Sequence, residues 1–202
     1  ALAEANTYTD QEVGEVAQEL AELKADTAKF INVKKYGAKG NGIDDDTNSI
    51  NLAISDMTNG SILYFPKGIY IISSTLLIPY NNITIKGEYS YVKFPNGIDG
   101  VVFEFNDQMN INIDGVGSIN TTSAQTFIKA TSTHHLHVTN ANFDGMKLGF
   151  DLTSCFWTKL ESLRFQTIYK CFEFKSATNA FHIANVSING TGVPSTIYMC
   201  TS

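Results

Sequence analysis

Apolar side chains recur along this chain in distinct rhythms, and each rhythm predicts a different element. Near the N-terminus, Val13, Val16, Leu20, Leu23, Thr27 and Phe30 follow one another in steps of 3, 4, 3, 4 and 3. That is the heptad spacing of a coiled-coil seam. Extended backwards, the frame meets Thr9, Asn6 and Leu2; polar seam positions cost stability but help fix register and strand number. The stripe is narrower than the face a globular helix buries. Residues 1–29 are therefore expected to form an α-helical coiled-coil stem, with an amphipathic helix folded back on the domain as the alternative. A stem this short requires partner chains to hold it.

From Phe30 the rhythm changes. Ile31, Val33 and Tyr36 alternate as a short strand, and Gly37, Gly40 and Gly42 then supply a loop able to take positive φ. Asp45 or Asp46 is the expected N-cap of a helix whose dipole the neighbouring carboxylates complement. Ile50, Ile54 and Met57 share one buried face at i, i+4 and i+7, beside the small Ala53. Gly60 is the expected C-cap, and Ile62 to Phe65 opens a strand that Pro66 and Gly68 turn.

Beyond residue 80 the pattern repeats with a period in the low to middle twenties, the mark of a solenoid. One row runs Ile83/Ile85, Ile111/Ile113, Leu136/Val138, Thr158/Leu160 and Phe181/Ile183, its second members 28, 25, 22 and 23 residues apart. A second runs Phe103, Phe127, Phe150, Phe172 and Tyr198, in steps of 24, 23, 22 and 26. A third follows the first after two polar residues: Ala141/Phe143, Leu163/Phe165 and Val186/Ile188. Each repeat then reads as one rung of three short strands, with alternate side chains in the bore and rungs roughly 4.8 Å apart. Asn112, Asn140, Asn142, Asn185 and Asn189 are expected to stack at corners, where Asn tolerates left-handed backbone. The sequence stops at Ser202, midway round a rung, which predicts a cap, further rungs or partner chains.

Tyr36 to Gly40, Asp45, Asp46, Thr47, Ile50, Phe65, Pro66, Gly68 and Tyr70 carry a resemblance. They resemble the opening of the pectate-lyase-like parallel β-helix family of bacteriophage tail spikes and preneck appendages. The family pattern is close to Y-G-A-K-G-D-G-x-x-D-D-T-x-A-I followed by F-P-x-G-x-Y; here Asn41 replaces the usual Asp. The resemblance implies a mainly β chain: a right-handed three-faced parallel β-helix with an N-terminal capping helix, preceded by the trimeric coiled coil. The expected organisation is a stem over 1–29, a β-helix cap and first strands over 30–80, and rungs over 81–202. Asp45, Asp46 and Thr47 then head the helix that seals the open end of the β-helix.

Composition narrows the partners. Net charge is −6 and the sequence pI about 5.1, which argues against nucleic acid, because phosphate binding needs clustered Lys and Arg. No apolar run reaches the roughly 20 residues that span a bilayer, so membrane insertion is not expected, and the N-terminus lacks a signal-peptide pattern. Cys155, Cys171 and Cys200 lack metal-ligand spacing and read as buried thiols of a protein made in a reducing cytosol. His134, His135 and His137 offer at most two ligands on one face, so no metal and no cofactor is expected.

Two sets of residues bear on chemistry. Aligning the second row places Glu104, Ile128, Asp151 and Glu173 one above another, facing outward. Asp151 and Glu173 would then lie on adjacent rungs, near the separation of a retaining glycosidase, with one pKa raised by the other's charge. The blander account is a pair of solvent-facing acids or an intersubunit contact. Trp157, with Tyr169 and His135, offers aromatic surface that stacks on sugar rings, or that packs between subunits. The family resemblance implies a virion attachment protein, made in the host cytoplasm. It would be a homotrimer held by other phage tail or neck proteins through its stem, adsorbing to a bacterial surface polysaccharide or teichoic acid. Many relatives cleave the glycan they bind, so depolymerisation stays open beside a purely structural stem and a secreted pectate-lyase-like enzyme.

Overall fold

The structure, a computed structural model, describes residues 12–16, 18, 29–119, 125–189 and the backbone of 196–199. Residues 12–16 and 18 are helical, and the two seam residues among them, Val13 and Val16, are 67% and 62% exposed. The expected seam positions Leu2, Asn6, Thr9, Leu20, Leu23 and Thr27 lie outside the described residues. Phe30, the last of that seam, instead opens the first strand, β1 (Phe30–Asn32).

That strand is shorter than the alternation predicts. Asn32 accepts a hydrogen bond from the Lys34 amide through its side chain and caps a 3-10 turn over Val33–Tyr36, so the extended backbone stops there. After β2 (Asn41–Asp45) comes the helix α1 (Thr47–Ser55), which buries Thr47, Ile50, Ala53 and Ile54. It ends at Asp56 rather than at Gly60; Gly60, at φ +86°, belongs to the turn that leads into β3 (Ile62–Phe65). The aliphatic face of α1, with Met57, joins Ile31, Val33, Leu63 and Phe65 in one continuous core.

The remaining strands wind a parallel solenoid of about 6 turns. β4 (Gly68–Ile71), β6 (Ile83–Lys93), β8 (Met109–Gly117), β10 (His134–Thr139), β13 (Lys159–Glu161) and β16 (His182–Ala184) extend the sheet that β1 and β3 begin. A second sheet stacks β5 (Leu76–Leu77), β7 (Val101–Asn106), β9 (Thr126–Thr131), β12 (Leu148–Thr153), β15 (Lys170–Lys175) and β18 (Thr196–Met199). A third holds β11 (Asn142–Asp144), β14 (Arg164–Gln166) and β17 (Ser187–Asn189). Stacking is continuous across residue 80, since β3 pairs with β6 and β5 with β7.

The register follows the apolar rows with two exceptions, both in the second sheet; at its far end Tyr198 pairs with Glu173 and not with Phe172. Ile85, Ile113, Val138, Leu160 and Ile183 lie in one column, and Phe143, Phe165 and Ile188 in another. In the second sheet, however, Phe103 pairs with Ile128, not Phe127, and Ile128 with Phe150. Both Phe127 and Ile128 are fully buried. Phe127 stands between Val102 and Gly149 in register, and the missing side chain at Gly149 admits the Cys171 carbonyl and the Phe165 ring. Phe127 meets Phe103 at 5.5 Å and Phe143 at 4.8 Å between centroids, and Phe143 stacks on Phe165 at 5.0 Å. Aromatic neighbours of this kind contribute roughly 0.5–1.5 kcal/mol per pair beyond burial itself.

Left-handed residues turn corresponding corners of successive rungs. One corner column runs Asn82, Asn110, His135, Trp157 and Ala180, all with φ between 53° and 57°. Another holds Asn140, Ser162 and Asn185. Asn110 donates to the Asn82 side chain at 2.7 Å, the corner ladder that such residues favour. Asn112, Asn142 and Asn189 instead stand within strands.

Candidate functional site

The cap residues divide their labour. Asp46 occupies the N-cap position of α1, but its carboxylate makes no bond to the helix. It is 1% exposed and accepts from the backbone amides of Lys39 (2.6 Å) and Gly40 (3.0 Å), tying down the glycine loop. Asp45 serves the helix instead, accepting from the Thr47 amide at 2.9 Å and from the Thr47 hydroxyl. Those bonds, led by the hydroxyl, hold the Asp45 carboxyl below the usual carboxylate range. The Thr47 hydroxyl in turn accepts from the Ser73 amide at 2.7 Å. All three side chains have their partners within the fold, which is what a structural cap requires.

Asp151 and Glu173 do lie opposite each other on β12 and β15. The residue above them in the column is Lys129 rather than Ile128, since Asp151 pairs with Lys129 and Lys129 with Glu104. The column is therefore a charged ladder, Glu104, Lys129, Asp151 and Glu173, whose two adjacent acids are met by lysines beside it. Lys129 Nζ sits 2.8 Å from Glu104 Oε1. Lys175 Nζ sits 2.8 Å from Asp151 Oδ1 and 3.2 Å from Glu173 Oε2, and Lys170 Nζ is 2.8 Å from Glu173 Oε1. The hydrogen bond from Lys170, with help from Lys175, holds Glu173 below the usual carboxylate range. This direction is opposite to the rise expected from two bare acids, and opposite to what a general acid needs. Sequence reasoning missed Lys129 because the frame slipped by one residue at Phe127, and it did not weigh Lys170 and Lys175, which flank Glu173 on the correctly aligned β15. Alternation counted back from Ala130 would have put Lys129 on the outer face.

The aromatic residues fall in two places. His135 and Trp157 meet at one corner, their rings stacked at 5.0 Å with planes 10° apart. His134 and Phe156 pack beside them, edge to face at 5.1 Å. Trp157 remains 56% exposed. The next rung puts only the methyl group of Ala180 at that corner, since Phe156 bridges to Asn179. Tyr169, also exposed at 57%, precedes β15 at a different corner and does not join them. The left-handed backbone suits the Asn at positions 82 and 110 of this column; for a bulky side chain it costs on the order of 1 kcal/mol. Trp157 is thus a residue that the turn itself does not favour. Of the residues that pack beside it, His134 was weighed in the sequence only as a metal ligand, and Phe156 was missed because it falls at a corner, where strand alternation gives no cue.

A family profile described as "Rhamnogalacturonase A/epimerase, pectate lyase-like" matches residues 30–167, more than half of the chain. A curated relative from Arthroderma benhamiae, "Probable glucan endo-1,3-beta-glucosidase", is 47% identical over 60 residues, covering 30% of this chain and 7% of that protein. The "Non-secreted LysM effector LysM19" of Penicillium expansum is 47% identical over 53 residues, 26% of this chain and 4% of its own length. The chain thus spans less than a tenth of these relatives. Among solved structures, a candidate glycosyl hydrolase from Parabacteroides merdae superposes with a TM-score of 0.55 at 11% identity, covering 80% of this chain and 98% of that one. That likeness is one of fold.

Proposed function

Because the chain belongs to the Rhamnogalacturonase A/epimerase, pectate lyase-like family, we propose that it is a glycan-engaging solenoid, the leading part of a bacteriophage tail spike or appendage that adsorbs to a bacterial surface polysaccharide. One observation carries the binding reading: the exposed indole of Trp157, backed by His135 at 5.0 Å, sits on a left-handed corner that disfavours it. A flat aromatic face with a polar rim is what the apolar face of a sugar ring stacks upon. The heptad spacing and the exposed Val13 and Val16 support a helical stem that trimerises the chain and joins it to other virion proteins. The reading is of binding rather than cleavage by Asp151 and Glu173, because Lys175 bridges the pair.

The test uses the 202-residue chain. Trp157 is its only tryptophan, so its emission reports on this corner alone. Titration with capsular and cell-wall polysaccharides is expected to shift or quench that emission saturably without releasing reducing ends, and Trp157→Ala is expected to weaken binding at least ~10-fold. Emission that stays unchanged across Gram-positive and Gram-negative polymers would overturn the assignment. Sedimentation equilibrium giving a single chain would remove the trimeric stem.

A further inference from the structure

A second site lies one corner away. A groove of about 320 Å³ crosses three rungs between the first and third sheets, lined by Tyr89 and Tyr91, then Asp114, then Asn140 and Asn142. Its floor is bare backbone. Lys86 pairs with Asp114 and Ser90 with Val116, so Gly87, Glu88 and Tyr89 stand opposite Gly115 alone and β6 bulges. No side chain fits beneath: a β-carbon at Gly115 would come within 2.3 Å of the Gly87 carbonyl, and one at Gly117 within 2.1 Å of the Asn142 carbonyl.

The bulge throws Tyr89 outward. It is 77% exposed and held at φ +49°, a conformation sparsely populated for an aromatic residue. Opposite it, Asp114 is fixed: its Oδ1 accepts from the Thr139 hydroxyl at 3.0 Å and from the Asn140 amide at 2.8 Å. Both bonds use Oδ1, so Oδ2 keeps its capacity to accept. Glu88 is likewise held, by the phenol of Tyr64. Among the lining residues Glu88 and Asp114 are carboxylates and none is Lys or Arg; Lys86, the neighbour of Asp114 in register, does not line the groove.

We infer that this groove is a carbohydrate subsite for neutral or amino sugars, and that it excludes uronate and phosphate polymers. The reading rests on the glycan-engaging function proposed above and adds a substrate class to it. The phenol ring of Tyr89 supplies a stacking face, and Asp114, Asn140 and Asn142 supply acceptors and donors for hydroxyl groups. The three rungs extend over roughly 10 Å, room for two sugar rings in line. An ammonium group on the sugar would meet two carboxylates; a uronate or phosphodiester would meet only like charge.

The experiment is an amide-resolved NMR titration of the 202-residue chain with tetramers of glucosamine, glucose and galacturonate, following Trp157 emission in parallel. Tyr89 and Asn142 amides are expected to shift with the first two sugars, and galacturonate to bind at least ~10-fold more weakly. Asp114→Asn, which keeps an acceptor for Thr139 and Asn140, is expected to weaken the preference for glucosamine over glucose, leaving only the share of Glu88. Tyr89→Gly is expected to bind at least ~10-fold more weakly while melting no lower than the parent, because glycine relieves the left-handed strain. Shifts equal for galacturonate, or none at Tyr89 with any tetramer, would overturn the groove. A response of Trp157 without Tyr89 condemns the groove alone, a response of Tyr89 without Trp157 the corner alone, and silence at both condemns the two together.

Discussion

Gly40 lies against the ring of Tyr70, thirty residues further along the chain. A β-carbon on Gly40 would stand 2.7 Å from Tyr70 Cζ, and one on Gly68 would stand 2.5 Å from the Gly40 carbonyl. The two halves of the sequence signature, the glycine loop and the F-P-x-G-x-Y turn, are thus two sides of one contact. Tyr70 is fully buried and donates to the Pro66 carbonyl at 2.7 Å. Gly40→Ala should therefore cost about 2–4 kcal/mol, combining the penalty of its left-handed φ with displacement of the ring. Gly60→Ala, where φ is +86° but nothing lies within 4 Å, should cost only about 1 kcal/mol. Urea unfolding of the two variants checks the difference.

Asp45 and Asp46 should separate in the same assay. Asp46→Ala strips two part-buried amides of their acceptor and is expected to cost about 1–3 kcal/mol; Asp45→Ala removes a first-turn cap, at about 1 kcal/mol. The pH dependence follows from Asp45. Its folded value lies below the ordinary 3.8, so the stability it adds is fully present above about pH 4 and is lost as pH falls through the depressed value. Acid titration of Asp45→Ala should therefore show a shallower loss of stability below pH 4 than the parent.

The ladder on the second sheet predicts a salt effect. Lys175→Met leaves Asp151 and Glu173 facing each other without a cation between them. All three side chains are partly open to solvent, so the loss at neutral pH is modest, about 0.5–1 kcal/mol at low ionic strength and less in 1 M salt. Glu173 is held below 4.5, so its share is present above that value and disappears as pH falls through the depressed one. Parent and variant should converge in thermal melts near pH 3.

Cys171 is fully buried on β15, and burial pushes its thiol up to about 12. Cys155 is raised for the same reason. At pH 8 neither is a thiolate, so both should resist an alkylating reagent in the folded chain and react fully in urea. Mass mapping of labelled peptides reads each one separately. Rapid native labelling of either would contradict the packing.

Much of this architecture was legible in the residues, for reasons the structure makes plain. Rungs stack in parallel, so each inward position repeats with the rung, and Ile85, Ile113, Val138, Leu160 and Ile183 could be counted off. What escaped was whatever a corner disturbs. Phe127 and Ile128 are both buried because the strand enters from a turn, and strict alternation loses its frame there. The same slip hid Lys129 and with it the ladder. Trp157 and His135 were picked as separate aromatics; that they touch follows from the register of two corners, which no local pattern reports. The bulge at Tyr89 escaped because three residues opposite one is a relation between strands, visible only once they are paired.

The parallel register has one more consequence. A length change of one complete repeat within the stack would slide the surface groups past it along the long axis by roughly 4.8 Å while preserving their angular position; a partial repeat would swing them to another side. Distances along the axis between surface groups of different rungs can therefore be adjusted only in whole steps, like a vernier with one notch per coil.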